Sequence, residues 1–467
     1  MHPQNKENTM LIIDPELIWK YDRPGPRYTS YPTAPHFSES FTEKDFLDEI
    51  ARTNQDPSPP DLSLYFHIPF CDTLCYFCGC NMIVTRNRER IGRYLGYLKQ
   101  EIDMTCRHIA PGRRAVQLHW GGGTPTHLKP GEIEDLIAHI NARFTFGEDV
   151  EAGCEIDPRE LTRDHLTALK NGGFNRISMG VQDFDPKVQT AVNRIQPEAL
   201  TRRVVSWIRD LGFHSFNIDL MYGLPFQSIE TFEDTVEKII DIAPDRIALF
   251  NFAYVPWVKK HMAAIRTDDL PAPEEKIGIL KMSIEKLMDA GYVFVGMDHF
   301  SKPDDELAQA LREKRMYRNF QGYSTRPGTD LYAMGMTGIS QFGRIYAQNA
   351  KDERGYFAAL DDGRLPTARG YRLNDDDVLR RHVITRIMCD FELDFASVEN
   401  AFDIDFKHYF KWGLNHLREM VEDRLVSIDS GRLKVTETGR LYVRNIAMNF
   451  DGYIERQEDS ARYSRTV

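Results

Sequence analysis

Residues 67–81 read HIPFCDTLCYFCGCN and place four of the chain's seven cysteines within ten positions. Cys71, Cys75 and Cys78 form C-x3-C-x2-C, and Cys80 follows two residues later. Soft thiolates crowded onto one loop suit an iron–sulfur cluster or zinc. A structural zinc ion wants four ligands, usually from two separated pairs, which one short loop supplies poorly. Three thiolates on a four-iron cluster leave one iron with an open position, and that iron is a place for chemistry. The odd cysteine count and the tight spacing do not resemble the dispersed framework of a small secreted disulfide protein. A lone cysteine is commonly a small buried hydrophobe, but that does not account for this spacing.

Other motifs fall at the ends of β-rich runs. Six runs read as strands: 64–68, 116–120, 153–156, 176–181, 216–221 and 246–252. Helix-like segments at 88–108, 131–143, 160–171, 197–211 and 229–242 alternate with them, the pattern of βα units around a parallel sheet. Several strands end in loops carrying glycine, proline or carboxylates: HWGGGTPT, CEIDPRE, MGVQDF, MYGLP and FAYVPW. In a parallel βα barrel those ends form one face, where catalytic residues collect. The run GGGTP lacks the GK[ST] ending of a phosphate-binding P-loop, yet glycines without Cβ let a backbone approach a ligand closely. Residues 302–346 read as irregular structure and 359–377 as a linker. Beyond them, helices at 375–390, 396–402 and 406–424, a hairpin at 425–436 and a last helix from about 437 suggest a small winged-helix-like domain.

The expected domains are an N-terminal extension over 1–55, a barrel over 56–360 with substrate-facing segments, and a mostly helical C-terminal domain over 361–467. The composition, 42% hydrophobic and 28% charged, is that of a globular protein. No segment approaches the roughly eighteen uninterrupted apolar residues that a membrane span requires. The apolar run Met10–Ile13 soon meets Asp14 and Pro15, so no secretory signal is expected and the predicted location is the cytoplasm. A net charge of −11 argues against general affinity for nucleic acid, though a local basic pocket for an acidic small molecule stays open.

C-x3-C-x2-C with Phe77 before the last cysteine resembles the hallmark of radical S-adenosylmethionine (SAM) enzymes. The wider stretch YFHIPFCDTLCYFCGCN is similar to one subgroup of them, the oxygen-independent coproporphyrinogen III oxidases. The likeness continues through GPRYTSYPTA (25–34), LHWGGGTPT (118–126), EIDPRE (155–160), GFNRISMGVQDF (173–184), NIDLMYGLP (217–225), GMDHF (296–300), KPDDELA (302–308), RNFQGY (318–323) and GRLYVRNIAMNFD (439–451). Haem chaperones on the same scaffold are the alternative family. They typically lack the cysteine matching Cys80 and the PRYTSYPTA block, and both are present here. A zinc-containing DNA-binding regulator using the C-terminal domain is disfavoured by the acidic charge.

The resemblance implies an α/β fold, a partial (β/α)6 radical SAM barrel with an N-terminal extension and a small C-terminal domain. It implies that Cys71, Cys75 and Cys78 ligate a [4Fe–4S] cluster whose fourth iron is chelated by SAM, with Cys80 not a ligand. Tyr65, Gly122, Glu155 and Ile339 match positions that bind the cluster-bound SAM. Phe77, Gly123, Thr124, Gln182, Arg194, Asp219 and Ala253 match a second SAM-binding position. After Ala253 this chain reads YVP where members of the family often carry HLP, a departure close to the substrate.

The implied reaction converts coproporphyrinogen III to protoporphyrinogen IX in haem biosynthesis. Cleavage of SAM gives methionine and a 5′-deoxyadenosyl radical, which abstracts a propionate β-hydrogen. Loss of CO2 and one electron then leaves a vinyl group, and two propionates need two rounds. An electron donor for the cluster and a separate electron acceptor are implied, and the family suggests a monomer. A tetra-anionic macrocycle needs cationic or polar grips in an otherwise apolar pocket. Arg27 and Arg326 are candidates for the propionates, and His67, Phe320 and Gln321 are expected near the reaction.

Overall fold

The computed structural model describes residues 11–456, 463, 465 and 466. The chain divides into two compact units: residues 37–279 with 328–372, and residues 1–36 with 280–327 and 373–467.

The first unit is built on parallel strands. Six of them, β1 (Leu62–Ile68), β2 (Arg114–Gly122), β3 (Thr145–Ile156), β4 (Arg176–Gln182), β5 (Ser215–Tyr222) and β6 (Arg246–Asn251), lie side by side in chain order. All neighbouring pairs in that series are parallel. Helices α1 (Arg88–His108), α2 (Pro130–Asn141), α3 (Arg163–Asn171), α4 (Glu198–Asp210) and α5 (Ile229–Ile242) connect them. This is the partial (β/α)6 architecture expected from the alternating pattern.

Local chemistry sets the helix limits. The Asn87 side chain accepts from Arg90 N–H and starts α1. Ser228 does the same for α5, which ends at Ala243 in the left-handed region (φ 52°). Period-two alternation sends Leu118, Trp120, Cys154, Ile156, Ile218 and Leu220 to the fully buried face beneath the helices. Trp120 meets Phe174 edge-on, with ring centroids 5.1 Å apart. The opposite face carries Tyr65, His119, Glu155, Ser178, Asn217 and Asp219, all partly accessible. That inner face holds polar chemistry where the outer face holds packing.

Three expectations need correction. Residues 302–346 are not irregular: β7 (Asp330–Met334) pairs parallel with β1, followed by β8 (Ile339–Phe342) and β9 (Ile345–Asn349), both antiparallel. The glycines that hid this pattern make the turns, with Gly335 (φ 94°) between β7 and β8 and Gly343 (φ 52°) between β8 and β9. Nor is 359–377 a linker, because β10 (Thr367–Arg372) adds an antiparallel edge strand to β9. Its sequence, TARGYR, is mostly solvated and carries no apolar alternation to announce a strand.

The second unit includes the helix Asp375–Asp390, the antiparallel hairpin Tyr317–Asn319 and Gly322–Ser324, and a three-stranded sheet in the order 392–394, 432–435, 426–429. The expected hairpin at 425–436 supplies the central strand and one edge strand of that sheet. The single helix expected over 406–424 is three short helices, Phe406–Tyr409, Lys411–His416 and Arg418–Glu422. Gly413 there lies against the Asn449 carbonyl, where a Cβ would come within 2.1 Å of the oxygen. The N-terminal segment is tied to the same unit: Tyr28 Oη–H donates to Asp451 at 2.9 Å, and Gly452 N–H donates to Tyr31 Oη at 2.9 Å.

Candidate active site

The cysteine loop leaves the C-terminal end of β1. Phe70–Cys71 pairs briefly with Ile83–Val84, closing the loop into a bight. Cys78 N–H donates to the Cys75 carbonyl at 3.1 Å, Tyr76 N–H to the Val192 carbonyl at 3.0 Å, and Asn193 Nδ2 to the Leu74 carbonyl at 2.8 Å. Cys75 and Phe77 enter an apolar cluster with Val188, Val192, Leu224 and Phe252, which anchors the loop. Three thiols are thus held at the strand ends, and all seven cysteines are free.

The glycine run beside it is shaped by what it touches. A Cβ on Gly121 would meet Glu155 at 2.8 Å, on Gly122 (φ 121°) His67 at 2.7 Å, and on Gly123 the Pro69 carbonyl at 2.5 Å. With no Cβ there, β2 closes against the cysteine loop, and Thr124 Oγ1 comes 3.5 Å from Cys71 Sγ. Burial pushes the Cys71 thiol up to about 12, so a metal taken there must displace its proton. Cys78 moves the other way: a hydrogen bond with the Cys80 thiol, helped by the charges of Lys259 and His261, lowers it. Cys80 itself holds its proton in that pair.

Cys75 faces two guanidinium groups. Arg159 Nη2 donates to its sulfur at 3.3 Å and Arg194 Nη1 at 3.7 Å. Both arginines also pair with Asp157, at 2.6 and 3.1 Å. Burial alone would raise the Asp157 carboxyl, but Arg194 and Arg159 outweigh it and hold it far below the carboxylate range. Arg194 Nη2 further donates to the Gly180 carbonyl at 2.7 Å. Gln182, in the left-handed region (φ 70°), lies alongside: a Cβ on Gly180 would strike its side-chain nitrogen at 2.8 Å and Arg194 at 3.2 Å. The Gln182 side-chain oxygen and Arg194 Nε are buried with no hydrogen-bond partner, open groups that a polar ligand would fill.

A second polar set lines β1 to β3. Tyr65 Oη lies 3.1 Å from His67 Nδ1, and His67 Nε2 lies 2.9 Å from the Asn81 carbonyl oxygen. Donation from Nε2–H to that carbonyl leaves Nδ1 to accept from the tyrosine, a neutral imidazole. Burial, which lowers the His67 pKa, favours the same state. Glu155 accepts from Gly122 N–H at 3.2 Å and lies 3.3 Å from His119 Nε2. Burial opposes its ionisation, but His119 and the Gly122 N–H win and keep it a carboxylate. On β5, Asn217 Nδ2 donates to Asp219 at 2.6 Å, while burial pushes that carboxyl up to about 7.

Among the described residues no three His, Cys, Asp or Glu side chains are placed to hold a metal ion. The fit is to a cluster, where each iron corner takes one thiolate: three free thiols on one loop, one sulfur facing two cations, and uncommitted polar atoms alongside.

A radical SAM superfamily model matches residues 65–239, and a HemN C-terminal domain model matches 373–442. The oxygen-independent coproporphyrinogen III oxidase of Escherichia coli strain K12 is 46% identical over 97% of this chain and 98% of its own length. That of Helicobacter pylori strain J99 is 44% identical over 98% and 100%. The chain belongs to the oxygen-independent coproporphyrinogen III oxidase family. A solved structure from E. coli, described as coproporphyrinogen III oxidase (HemN) and a radical SAM enzyme, superposes with a TM-score of 0.90 at 45% identity, covering 95% of this chain and 99% of that one. Membership carries with it the radical SAM fold, a [4Fe–4S] cluster and SAM.

Of the residues singled out in the sequence, Tyr65, His67, Cys71, Cys75, Phe77, Cys78, Gly122, Gly123, Thr124, Glu155, Gln182, Arg194, Asp219, Ala253 and Ile339 all belong to the first unit. Ile339 opens β8, and Ala253 lies just beyond β6. Arg27, Phe320, Gln321 and Arg326 belong to the second. Sequence reasoning passed over Asp157, Arg159, His119 and Asn217. EIDPRE ends a strand with an acid and a base two residues apart, a signal that could have drawn Asp157 and Arg159 into the site.

Proposed function

We propose that this chain oxidises coproporphyrinogen III to protoporphyrinogen IX without oxygen, converting two propionate side chains to vinyl groups and consuming SAM. The observation that carries this reading is the meeting of the three-thiol loop with the GGGT turn at the strand ends, in a chain of this family. Cys71, Cys75 and Cys78 would hold the cluster, which when bound and reduced supplies the electron that splits SAM into methionine and the radical that takes a propionate hydrogen.

The rest is positioning by the chain. Tyr65, Gly122, Glu155 and Ile339 form the first SAM position. Glu155, kept ionised, offers its carboxylate to a cationic group, and Gly122 lets the backbone come close. A second SAM sits against Phe77, Gly123, Thr124, Gln182, Arg194, Asp219 and Ala253. Asp219 can accept from ribose hydroxyls, and Arg194 can hold a carboxylate. His67, neutral and locked by Tyr65 and Asn81, orients without adding charge. Arg27, Arg326, Phe320 and Gln321 face the macrocycle. The reaction would call for an external electron donor and a separate electron acceptor. The working form is a cytoplasmic monomer.

The test is an anaerobic assay of the reconstituted, reduced protein with SAM and coproporphyrinogen III, separating 5′-deoxyadenosine and tetrapyrroles by chromatography. Formation of both 5′-deoxyadenosine and protoporphyrinogen IX is expected. SAM cleavage without a vinyl product would show that the substrate is a different one.

A further inference from the structure

Arg318 lies on the first strand of the hairpin Tyr317–Asn319 and Gly322–Ser324, which turns through Phe320 and Gln321. It is 5% exposed. Its Nε–H donates to the Arg27 carbonyl at 3.1 Å, and its guanidinium carbon lies 4.8 Å above the ring of Tyr323, its cross-strand neighbour. Nη1 is buried without a hydrogen-bond partner, and among the described residues no carboxylate bonds to this arginine. In the turn, the side-chain nitrogen of Gln321 is also buried and without a partner. Both unfilled groups are donors, so what is missing is an acceptor.

Among the described residues the neighbouring groups are committed elsewhere. Arg444 spends its N–H groups on the carbonyls of Gly25, Pro26, Arg465 and Thr466. Asp298, the carboxylate closest in influence, pairs with Arg27. Among the described residues Asp298 is bonded by Arg27 and not by Arg318 or Arg444. A buried guanidinium with no counter-ion is destabilising, and burial accordingly holds Arg318 below its usual range. Such a charge is out of place in a purely structural core and in place where an anion arrives as ligand.

We infer that Arg318, with the Gln321 side-chain amide, binds one propionate carboxylate of the tetrapyrrole. This rests on the proposed function and adds a residue to it. A planar fork and an amide N–H can hold both oxygens of a carboxylate, and a methyl ester would lose the charge that pays for burying the guanidinium.

The experiment measures anaerobic binding of coproporphyrinogen III and of its tetramethyl ester to the full, cluster-loaded chain, as wild type, Arg318→Met and Arg318→Lys. Arg318→Met should bind the acid about ten- to a hundredfold more weakly, the range for a charged hydrogen bond, and the ester almost as wild type does. Arg318→Lys should fall between. The ligand-free Arg318→Met protein should melt at a higher temperature than wild type, since an unpaired charge has gone, whereas a structural arginine would leave it melting lower. Unchanged acid affinity, equal losses for acid and ester, or a loss confined to SAM would overturn the assignment. Should Arg318→Met not fold, the assignment falls on that ground, because its stability prediction is the reverse. Wild-type protein that acts on coproporphyrinogen III beside a variant that binds it normally removes this inference alone. Wild-type protein that ignores coproporphyrinogen III removes the functional reading and this inference with it.

Discussion

Two groups of arginines are treated in opposite ways. Arg159 and Arg194 surround Asp157, donate to the Cys75 sulfur, and in the case of Arg194 also to the Gly180 carbonyl. Arg27 pairs with Asp298, and Arg318 is left with a buried donor unfilled and no carboxylate bonded to it among the described residues. The first group has an acid of its own, Asp157, beside the thiol loop, although Arg194 Nε is also buried and unfilled. On the reading proposed above, Arg318 receives its carboxylate from the substrate. An arginine pair built around its own acid reads as scaffold for a resident cofactor, and an arginine that no described carboxylate bonds reads as a seat for a transient anion.

The largest effect expected from breaking the first group is loss of the cofactor. Replacing Cys71, Cys75 or Cys78 by alanine should bring iron and sulfide after reconstitution to background, and activity with them, while Cys80→Ala keeps the cluster. Metal analysis and visible absorption decide this. Asp157→Asn leaves two buried guanidinium groups without their acid and should cost about 3–5 kcal/mol in denaturant unfolding. Gly123→Ala drives a Cβ to 2.5 Å from the Pro69 carbonyl. The strain should cost about 1–3 kcal/mol and weaken SAM binding by prising β2 from the cysteine loop; calorimetry and equilibrium dialysis report the two effects.

The smallest effect concerns pH. Burial pushes the Asp219 carboxyl up to about 7, so the folded protein keeps a proton that the unfolded chain releases near about 4. The resulting stabilisation is whole below that lower value and drains away as pH rises through about 7. Asp219→Asn removes the drain. Between pH 5 and pH 8 the ligand-free wild type should lose on the order of 1 kcal/mol more stability than the variant, read from melting curves at both pH values.

Legibility in the sequence followed the physics of each element. The limits of α1 and α5 could be read because Asn87 and Ser228 are strong caps ahead of apolar periodicity. The six parallel strands stood out as short β-rich runs between helices. β7 to β10 did not, since their turns are rich in glycine and β10 is mostly solvated. The cysteine spacing announced the cluster loop, and the glycines beside it gained meaning only from what a Cβ would strike. Asp157, Arg159 and Arg318 stayed hidden because a charged residue alone does not declare whether its partner will be present. Only the fold shows Asp157 bonded by two arginines and Arg318 bonded by no carboxylate among the described residues.

The most direct measurement of the central claim uses coproporphyrinogen III deuterated at the propionate β-carbons, turned over anaerobically with SAM and analysed by mass spectrometry. The account predicts 5′-deoxyadenosine carrying deuterium alongside the vinyl product. Vinyl product accompanied only by unlabelled 5′-deoxyadenosine would contradict it.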